Sequence, residues 1–197
     1  MTQVFLTRHG ETKYNHRGVE MGQLDIPLSD HGREQARDLA TRFQHATIDA
    51  IFTSPLQRSR ETAKILAEPH GMAVTSGERL KERSCGDMEG EKTERIEKML
   101  VENDRNWSDW EPDGGETRAQ AVARARPVLE DICNSNPDSR VVVVAHSGIN
   151  KGLLASLICE DASFGHRVKQ GLTCINELEY QADGTWRVHT MNDTAHL

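Results

Sequence analysis

The stretch Val4-Phe5-Leu6-Thr7-Arg8-His9-Gly10-Glu11-Thr12 decides the fold of this chain. Its short apolar run predicts a buried strand that ends at Arg8. Ligands of open α/β sheets bind beyond the carboxyl ends of parallel strands, so Arg8 and His9 stand where a site can form. Gly10 allows the backbone to approach a ligand closely. A guanidinium beside an imidazole at this edge favours a phosphate ligand.

A second run of β-branched residues, Val141-Val142-Val143-Val144-Ala145, repeats this design. It leads directly into His146-Ser147-Gly148. Two strand ends, each followed by a histidine and a nearby glycine, predict one site that is assembled from distant parts of the chain.

Hydrophobic periodicity predicts strands that alternate with helices along the chain. Strands are predicted at 4–8, 49–53, 73–75, 141–145, 174–180 and 185–191, and helices at 29–44, 55–68, 113–134 and 149–158, with a kink at Pro127. The last two strands are expected to form a hairpin across Ala182-Asp183-Gly184. The pattern predicts an α/β fold, a three-layer sandwich with a mostly parallel central sheet flanked by helices.

We expect a single domain over residues 1–197, with a small helical cap excursion at about 91–113. This charged segment carries Trp107 and Trp110. Their indoles are expected either to form a pocket wall or to be ordinary packing residues, and the pattern does not distinguish the two.

Composition narrows the range of partners. The formal net charge of -7 argues against nucleic acid and anionic membranes, so an anion site must be a local basic pocket. The four cysteines have no C-x-x-C spacing and no metal-ligand motif is present, which favours a reduced chain without a metal site. No segment has the pattern of a signal peptide or a membrane helix, so we expect a soluble, cytoplasmic protein.

Further candidates lie beyond the two strand ends. Arg58 falls in the first turn of a helix that begins near Pro55, and there its guanidinium can point toward His9. Arg60, rotated by about 200° on that helix, cannot easily face the same site. Glu82 lies in a charged run that also fits a solvated surface.

The motifs that follow one another along the chain resemble those of the histidine phosphatase superfamily, also called the phosphoglycerate mutase-like family. They are Arg8-His9-Gly10-Glu11-Thr12 with Asn15, Ser54-Pro55-Leu56-Gln57-Arg58 with Thr62-Ala63, Glu82 with Gly86 and Glu89-Gly90, Gly114-Gly115-Glu116, and Ala145-His146-Ser147-Gly148. The resemblance spans nearly the whole chain.

The resemblance implies the roles of the site residues. His9 would attack phosphorus and become a phosphohistidine, and nearby cations would keep its ring neutral and nucleophilic. Arg8, Arg58 and His146 would bind the phosphoryl oxygens. Glu82 would protonate the leaving group and later take a proton from water.

The resemblance also implies that Asn15 gives the phosphoryl group a neutral hydrogen bond. No metal and no cofactor is expected, because the arginines and His146 supply the positive charge. Gln23 stands where many relatives carry tryptophan, and Met88 replaces an aromatic residue. Gln23 and Ser147 are expected on the substrate side of the pocket.

Within this family we expect a metal-independent phosphomonoester hydrolase of the small phosphatase branch, acting on a small phosphorylated metabolite. The short cap predicts a wet site that favours hydrolysis. The alternatives are a cofactor-dependent phosphoglycerate mutase and a non-catalytic phosphate-binding or scaffolding member. The expected partner is the substrate alone, with no nucleic acid and no membrane, and a homodimer is left open.

Overall fold

A computed structural model describes residues 1–197 and contains one six-stranded sheet. The strands are β1 Thr2–Arg8, β2 Ala50–Thr53, β3 Val74–Ser76, β4 Arg140–Ala145, β5 Ile175–Tyr180 and β6 Trp186–Asp193. The helices are α1 Lys13–His16, α2 Asp30–Phe43, α3 Gln57–Ala67, α4 Thr93–Glu102, α5 Arg118–Ser135 and α6 Ser147–Cys159. Short 3₁₀ helices lie at Glu68–His70, Glu78–Leu80, Gly86–Met88 and Ala162–Arg167.

The sheet is mostly parallel, in the order β3-β2-β4-β1-β5-β6. β4 pairs in parallel with β1 and β2, and β2 with β3, whereas β5 is antiparallel to both of its neighbours. The register places Arg8 beside Ala145. His9 and His146 therefore leave adjacent strands at the same level.

Two apolar cores cover the two faces of the sheet. Val141 and Val143 belong to the core beneath α5 and α6, while Val142 and Val144 belong to the core beneath α2 and α3. Successive side chains of a strand point to opposite faces, so the unbroken valine run of β4 is buried on both sides. This arrangement confirms the three-layer α/β sandwich.

Two helices begin later than the sequence predicts. α5 begins at Arg118 rather than at 113, because Gly114 has a left-handed backbone with φ of 69° and Thr117 provides the capping box. α5 continues through Pro127 to Ser135. α3 begins at Gln57, since the Ser54 hydroxyl accepts the N–H of Leu56 in a turn that precedes the helix.

The predicted hairpin is present as β5 and β6, which pair in antiparallel fashion around Gly184. No helix is both long and apolar enough to cross a membrane.

The cap consists of α4 and the turns that follow it. Ile96, Leu100 and Trp110 form a small apolar core of their own. Arg83 connects the cap to the rest of the domain, because its guanidinium donates to the carbonyls of Trp107 and Trp110 at 2.7 and 2.9 Å. The cap thus packs over the edge at which β1 and β4 end.

Candidate active site

A cleft of about 410 Å³ opens at the carboxyl ends of β1 and β4, beneath the cap. Its walls are mainly polar, with four hydrophobic residues among twenty. The predicted site residues that line it are Arg8, His9, Asn15, Arg58, Glu82 and Ser147. The sheet therefore brings together side chains that lie far apart in the sequence.

His9 is the most constrained of these residues. Its Nδ1 lies 2.7 Å from the carbonyl oxygen of Gly10, and its side chain is buried. Burial, reinforced by Arg58 and Arg8, holds the pKa of His9 well below its ordinary value. A neutral ring that donates from Nδ1 keeps a lone pair on Nε2, as a nucleophile requires.

His146 lies beside His9, with ring centroids 5.2 Å apart. It is the N-cap residue of α6 and is fully buried, and neither ring nitrogen has a hydrogen-bond partner in the protein. Burial first, and then Arg58, lowers the pKa of His146 well below its usual value. A buried imidazole in this position can donate one hydrogen bond to a phosphoryl oxygen.

A polar network that no sequence pattern indicates holds the guanidinium of Arg8. Its Nη1 donates to the carbonyl of Gln170 at 2.7 Å, which leaves Nε buried and without a partner. The amide nitrogen of Asn176 in turn donates to Oε1 of Gln170 at 2.9 Å. The pKa of Arg8 is lowered by burial, against the opposing effect of Glu82.

Arg58 is fully buried, whereas Arg60 is exposed and lies outside the cleft wall. The two terminal nitrogens of Arg58 donate to the carbonyls of Leu24 and Gly22 at 2.7 and 2.8 Å, and Nε has no partner. Burial lowers the pKa of Arg58 to about 10. The choice of Arg58 over Arg60 agrees with this geometry.

Glu82 reaches the cleft from the segment before the cap, rather than lying on a solvated surface. Its Oε2 accepts the N–H of Gly148 at 2.7 Å, and its Oε1 accepts those of Ile149 and Arg83, both at 2.8 Å. A Cβ atom at Gly148 would lie 2.6 Å from Oε1, so a larger residue there would displace the carboxylate from this position. The carboxylate therefore occupies the positive end of α6.

Asn15 and Ser147 both line the cleft. The Oδ1 of Asn15 accepts the backbone N–H of Thr12 at 3.0 Å in a capping box, which leaves the amide N–H₂ available for a ligand. Ser147 is the first residue of α6. Both residues therefore lie where a ligand in the cleft can reach them.

The expectation for Gln23 is corrected, because Gln23 does not line the cleft. Its Nε2 donates to the carbonyl of Glu82 at 3.0 Å, and its backbone N–H donates to Glu89 at 2.9 Å. Gln23 consequently contacts the Glu82 segment and lies outside the cleft wall.

The two cap tryptophans have different environments. They contact each other edge to face, with centroids 5.4 Å apart, but Trp110 is buried in the cap core and Trp107 lines the cleft. Trp107 is thus a wall residue and Trp110 a packing residue.

Several charged residues of the site were missed by the sequence analysis. Arg124 donates to the carbonyl of Glu82 at 3.2 Å and pairs with Glu116 at 2.7 Å, which explains the Gly-Gly-Glu motif as a support for the Glu82 segment. Glu20 also lines the cleft, and burial next to Glu82 raises its pKa. The missed residues of the cleft wall include Glu20, Arg83, Glu97, Arg118 and Lys151.

Comparisons with known proteins agree with this geometry. The sequence profile of the histidine phosphatase superfamily (branch 1) matches residues 4–194. A probable phosphoglycerate mutase GpmB from Klebsiella pneumoniae is 35% identical over 211 residues, which cover 100% of this chain and 95% of that protein.

Two solved phosphatases share the fold over their whole length. The mycobacterial glucosyl-3-phosphoglycerate phosphatase has a TM-score of 0.88 at 30% identity, covering 98% of this chain and 99% of the other. The phosphoserine phosphatase of Entamoeba histolytica, solved with 3-phosphoglyceric acid, has a TM-score of 0.87 at 28% identity, covering 100% and 99%. The chain belongs to the histidine phosphatase superfamily, branch 1.

Proposed function

We propose that this protein is a metal-independent phosphomonoester hydrolase that acts through a phosphohistidine at His9. The observation that carries the proposal is the 2.7 Å contact between Nδ1 of His9 and the Gly10 carbonyl, in the wall of an accessible cleft. It leaves Nε2 as the free ring nitrogen next to Arg8 and Arg58, whose charges suit a phosphoryl group.

In the proposed first step, Nε2 of His9 forms a bond to phosphorus while the bond between phosphorus and the ester oxygen breaks. Arg8, Arg58 and His146 hold the phosphoryl oxygens and stabilise the charge that spreads over them. Glu82, in its protonated form, gives its proton to the departing alkoxide. The free alcohol and phosphohistidine result.

In the second step, water attacks phosphorus and the bond to Nε2 breaks. Glu82, now ionised, takes a proton from this water, and inorganic phosphate leaves with His9 restored. The backbone N–H groups of Gly148 and Ile149 are donors that phosphoryl oxygens can share with Glu82. We infer that phosphate binding loosens their hold on the carboxyl group and frees it for proton transfer.

Hydrolysis is favoured over phosphoryl transfer to a second hydroxyl group by the polar cleft wall. Only four of the twenty residues that line the cleft are hydrophobic, and such a polar wall favours the presence of water in the cleft. The names of the two solved relatives, which are phosphatases, support the same direction.

The second candidate is a phosphoglycerate mutase, which is favoured by the name of the curated relative. The deciding experiment incubates the protein with several phosphomonoesters and measures inorganic phosphate. Steady phosphate release supports the hydrolase. Sustained interconversion of 2- and 3-phosphoglycerate with little phosphate release would favour the mutase, and the absence of both reactions would refute an enzymatic role with these substrates.

A further inference from the structure

Two cations of the cleft wall have no task in the proposed reaction. Arg118 is the first residue of α5, and Lys151 lies one turn into α6. Both line the same cleft as His9. The remaining cap-side arginine, Arg83, is committed to three backbone carbonyls and is therefore structural.

No carboxylate lies at ion-pair distance from Arg118 or Lys151. Neither residue takes part in any ion pair of the protein. Arg118 is only 6% exposed, its Nη1 donates to Ser108 Oγ at 2.8 Å, and its Nε is buried without a partner. An unpaired buried charge is energetically unfavourable, and an anion from outside the protein would compensate it.

The two cations also act on each other. Burial lowers the pKa of Lys151, and Arg8 and Arg118 add to this effect, against the opposing effect of Glu82 and Glu20. Glu20 and Glu97 line the cleft as well, but neither lies within ion-pair distance of a cation there. The cap end of the cleft therefore keeps unpaired positive charge.

The position of this pair separates it from the phosphoryl site. Lys151 is four residues beyond Ser147 on α6, which corresponds to about 6 Å along the helix axis. The aliphatic part of Arg118 packs where Gly152 and Gly165 leave room, since a Cβ at either glycine would lie 3.2 Å from an Arg118 side-chain carbon. Arg118 is thus held at the junction of α5, α6 and the cap.

We propose that Arg118 and Lys151 form a subsite for a second anionic group of the substrate, a carboxylate or a second phosphate, beyond the phosphoryl group that reacts at His9. This inference rests on the proposed function and names its substrate class, small phosphomonoesters with an anionic tail. An arginine and a lysine together offer the charge-assisted hydrogen bonds that such a group accepts.

Three substrates of one carbon skeleton test the subsite. Glycerol 3-phosphate has a neutral tail, 3-phosphoglycerate carries a carboxylate in its place, and glycerol 1,3-bisphosphate carries a second phosphate. Phosphate release is measured for each. We expect kcat/KM to be at least about tenfold higher for one or both anionic tails, the effect of a charge-assisted hydrogen bond. The better tail identifies the anion.

Variants test whether Arg118 and Lys151 produce the preference for an anionic tail. The preference is expressed as kcat/KM for the substrate with the anionic tail divided by kcat/KM for the substrate with the neutral tail. Lys151→Met and Arg118→Met should each reduce this ratio by roughly tenfold. Lys151→Arg should retain most of the preference, which a purely structural role would not predict. Lys64→Met on α3 and Arg126→Met on α5 are matched controls outside the cleft, and should leave the ratio as in the wild type.

The outcomes separate the two proposals. Release of phosphate from all three compounds at equal efficiency would overturn the subsite and leave the hydrolase standing. A preference that survives in both Lys151→Met and Arg118→Met would also overturn it. No release from any phosphomonoester would refute the hydrolase itself. Because Arg118 is buried, Lys151→Met decides the matter if the Arg118 variant does not fold.

Discussion

Nδ1 of His9 lies 2.7 Å from the carbonyl oxygen of Gly10. A carbonyl can only accept a hydrogen bond, so the contact fixes both the tautomer and the orientation of the imidazole. Nε2 is left unprotonated when the ring is neutral, and burial among arginines keeps it neutral. One backbone contact thus prepares Nε2 for the nucleophilic role that we propose.

Replacement of His9 by alanine tests this role. We expect His9→Ala to lower kcat by roughly 10³-fold or more, as for loss of a covalent nucleophile, and to abolish acid-labile labelling by a ³²P-phosphomonoester. The control is His45→Ala, which removes an exposed histidine outside the cleft. Labelling of the His9→Ala protein, or activity near that of the control, would contradict the assignment.

The strand ends were predictable because a run of apolar residues indicates a buried strand and shows where that strand ends. The valine run of β4 and the apolar run of β1 predicted the adjacent strands whose ends carry His9 and His146. The first turn of α3 likewise separated Arg58 from Arg60, since helix geometry fixes their relative direction.

The supports of the site were not predictable from the same patterns. Arg83 and Arg124 donate to backbone carbonyls, and the backbone carbonyl of Gln170 accepts from Arg8. These contacts depend on loop conformation rather than on residue spacing. Gln23 was expected on the substrate side because many relatives carry tryptophan at this position. That comparison does not indicate that its amide donates to the Glu82 carbonyl.

Arg58 is expected to serve both binding and stability. Its terminal nitrogens hold the carbonyls of Gly22 and Leu24, so Arg58→Met should lose phosphate affinity and also about 3 kcal/mol of the free energy of unfolding. Arg60→Met, two residues along the helix and exposed, should change that free energy by less than about 0.5 kcal/mol. Urea unfolding and inhibition by inorganic phosphate measure the two effects, and equal behaviour of the variants would contradict the assignment.

The buried histidines should make stability depend on pH. Burial and Arg58 lower the pKa of His9 and His146 in the folded state, whereas an unfolded histidine titrates near its ordinary value of about 6.5. Below that pH the unfolded chain binds more protons than the folded protein. The contribution of the neutral histidines to the free energy of unfolding is therefore fully present above about pH 6.5 and declines as the pH falls.

Each histidine should thereby lower the free energy of unfolding by about 1.4 kcal/mol between pH 7.5 and pH 5.5. His146→Asn should consequently lose about 1.4 kcal/mol less than the wild type over that interval. Urea denaturation at the two pH values, at constant ionic strength, measures the difference. Equal losses in the two proteins would show that His146 does not contribute in this way.

Glu82→Gln should separate proton donation from phosphate binding. A glutamine can still accept the N–H groups of Gly148 and Ile149 through its carbonyl oxygen, but it cannot protonate an alkoxide. We therefore expect a loss of kcat of roughly 10²–10⁴-fold with alkyl phosphates and a clearly smaller loss with p-nitrophenyl phosphate, whose leaving group needs no proton. Glu78→Gln, on the exposed 3₁₀ turn that precedes Glu82, is the matched control and should retain both activities. Equal losses with the two substrate types would count against the acid role, because a merely structural defect slows both alike.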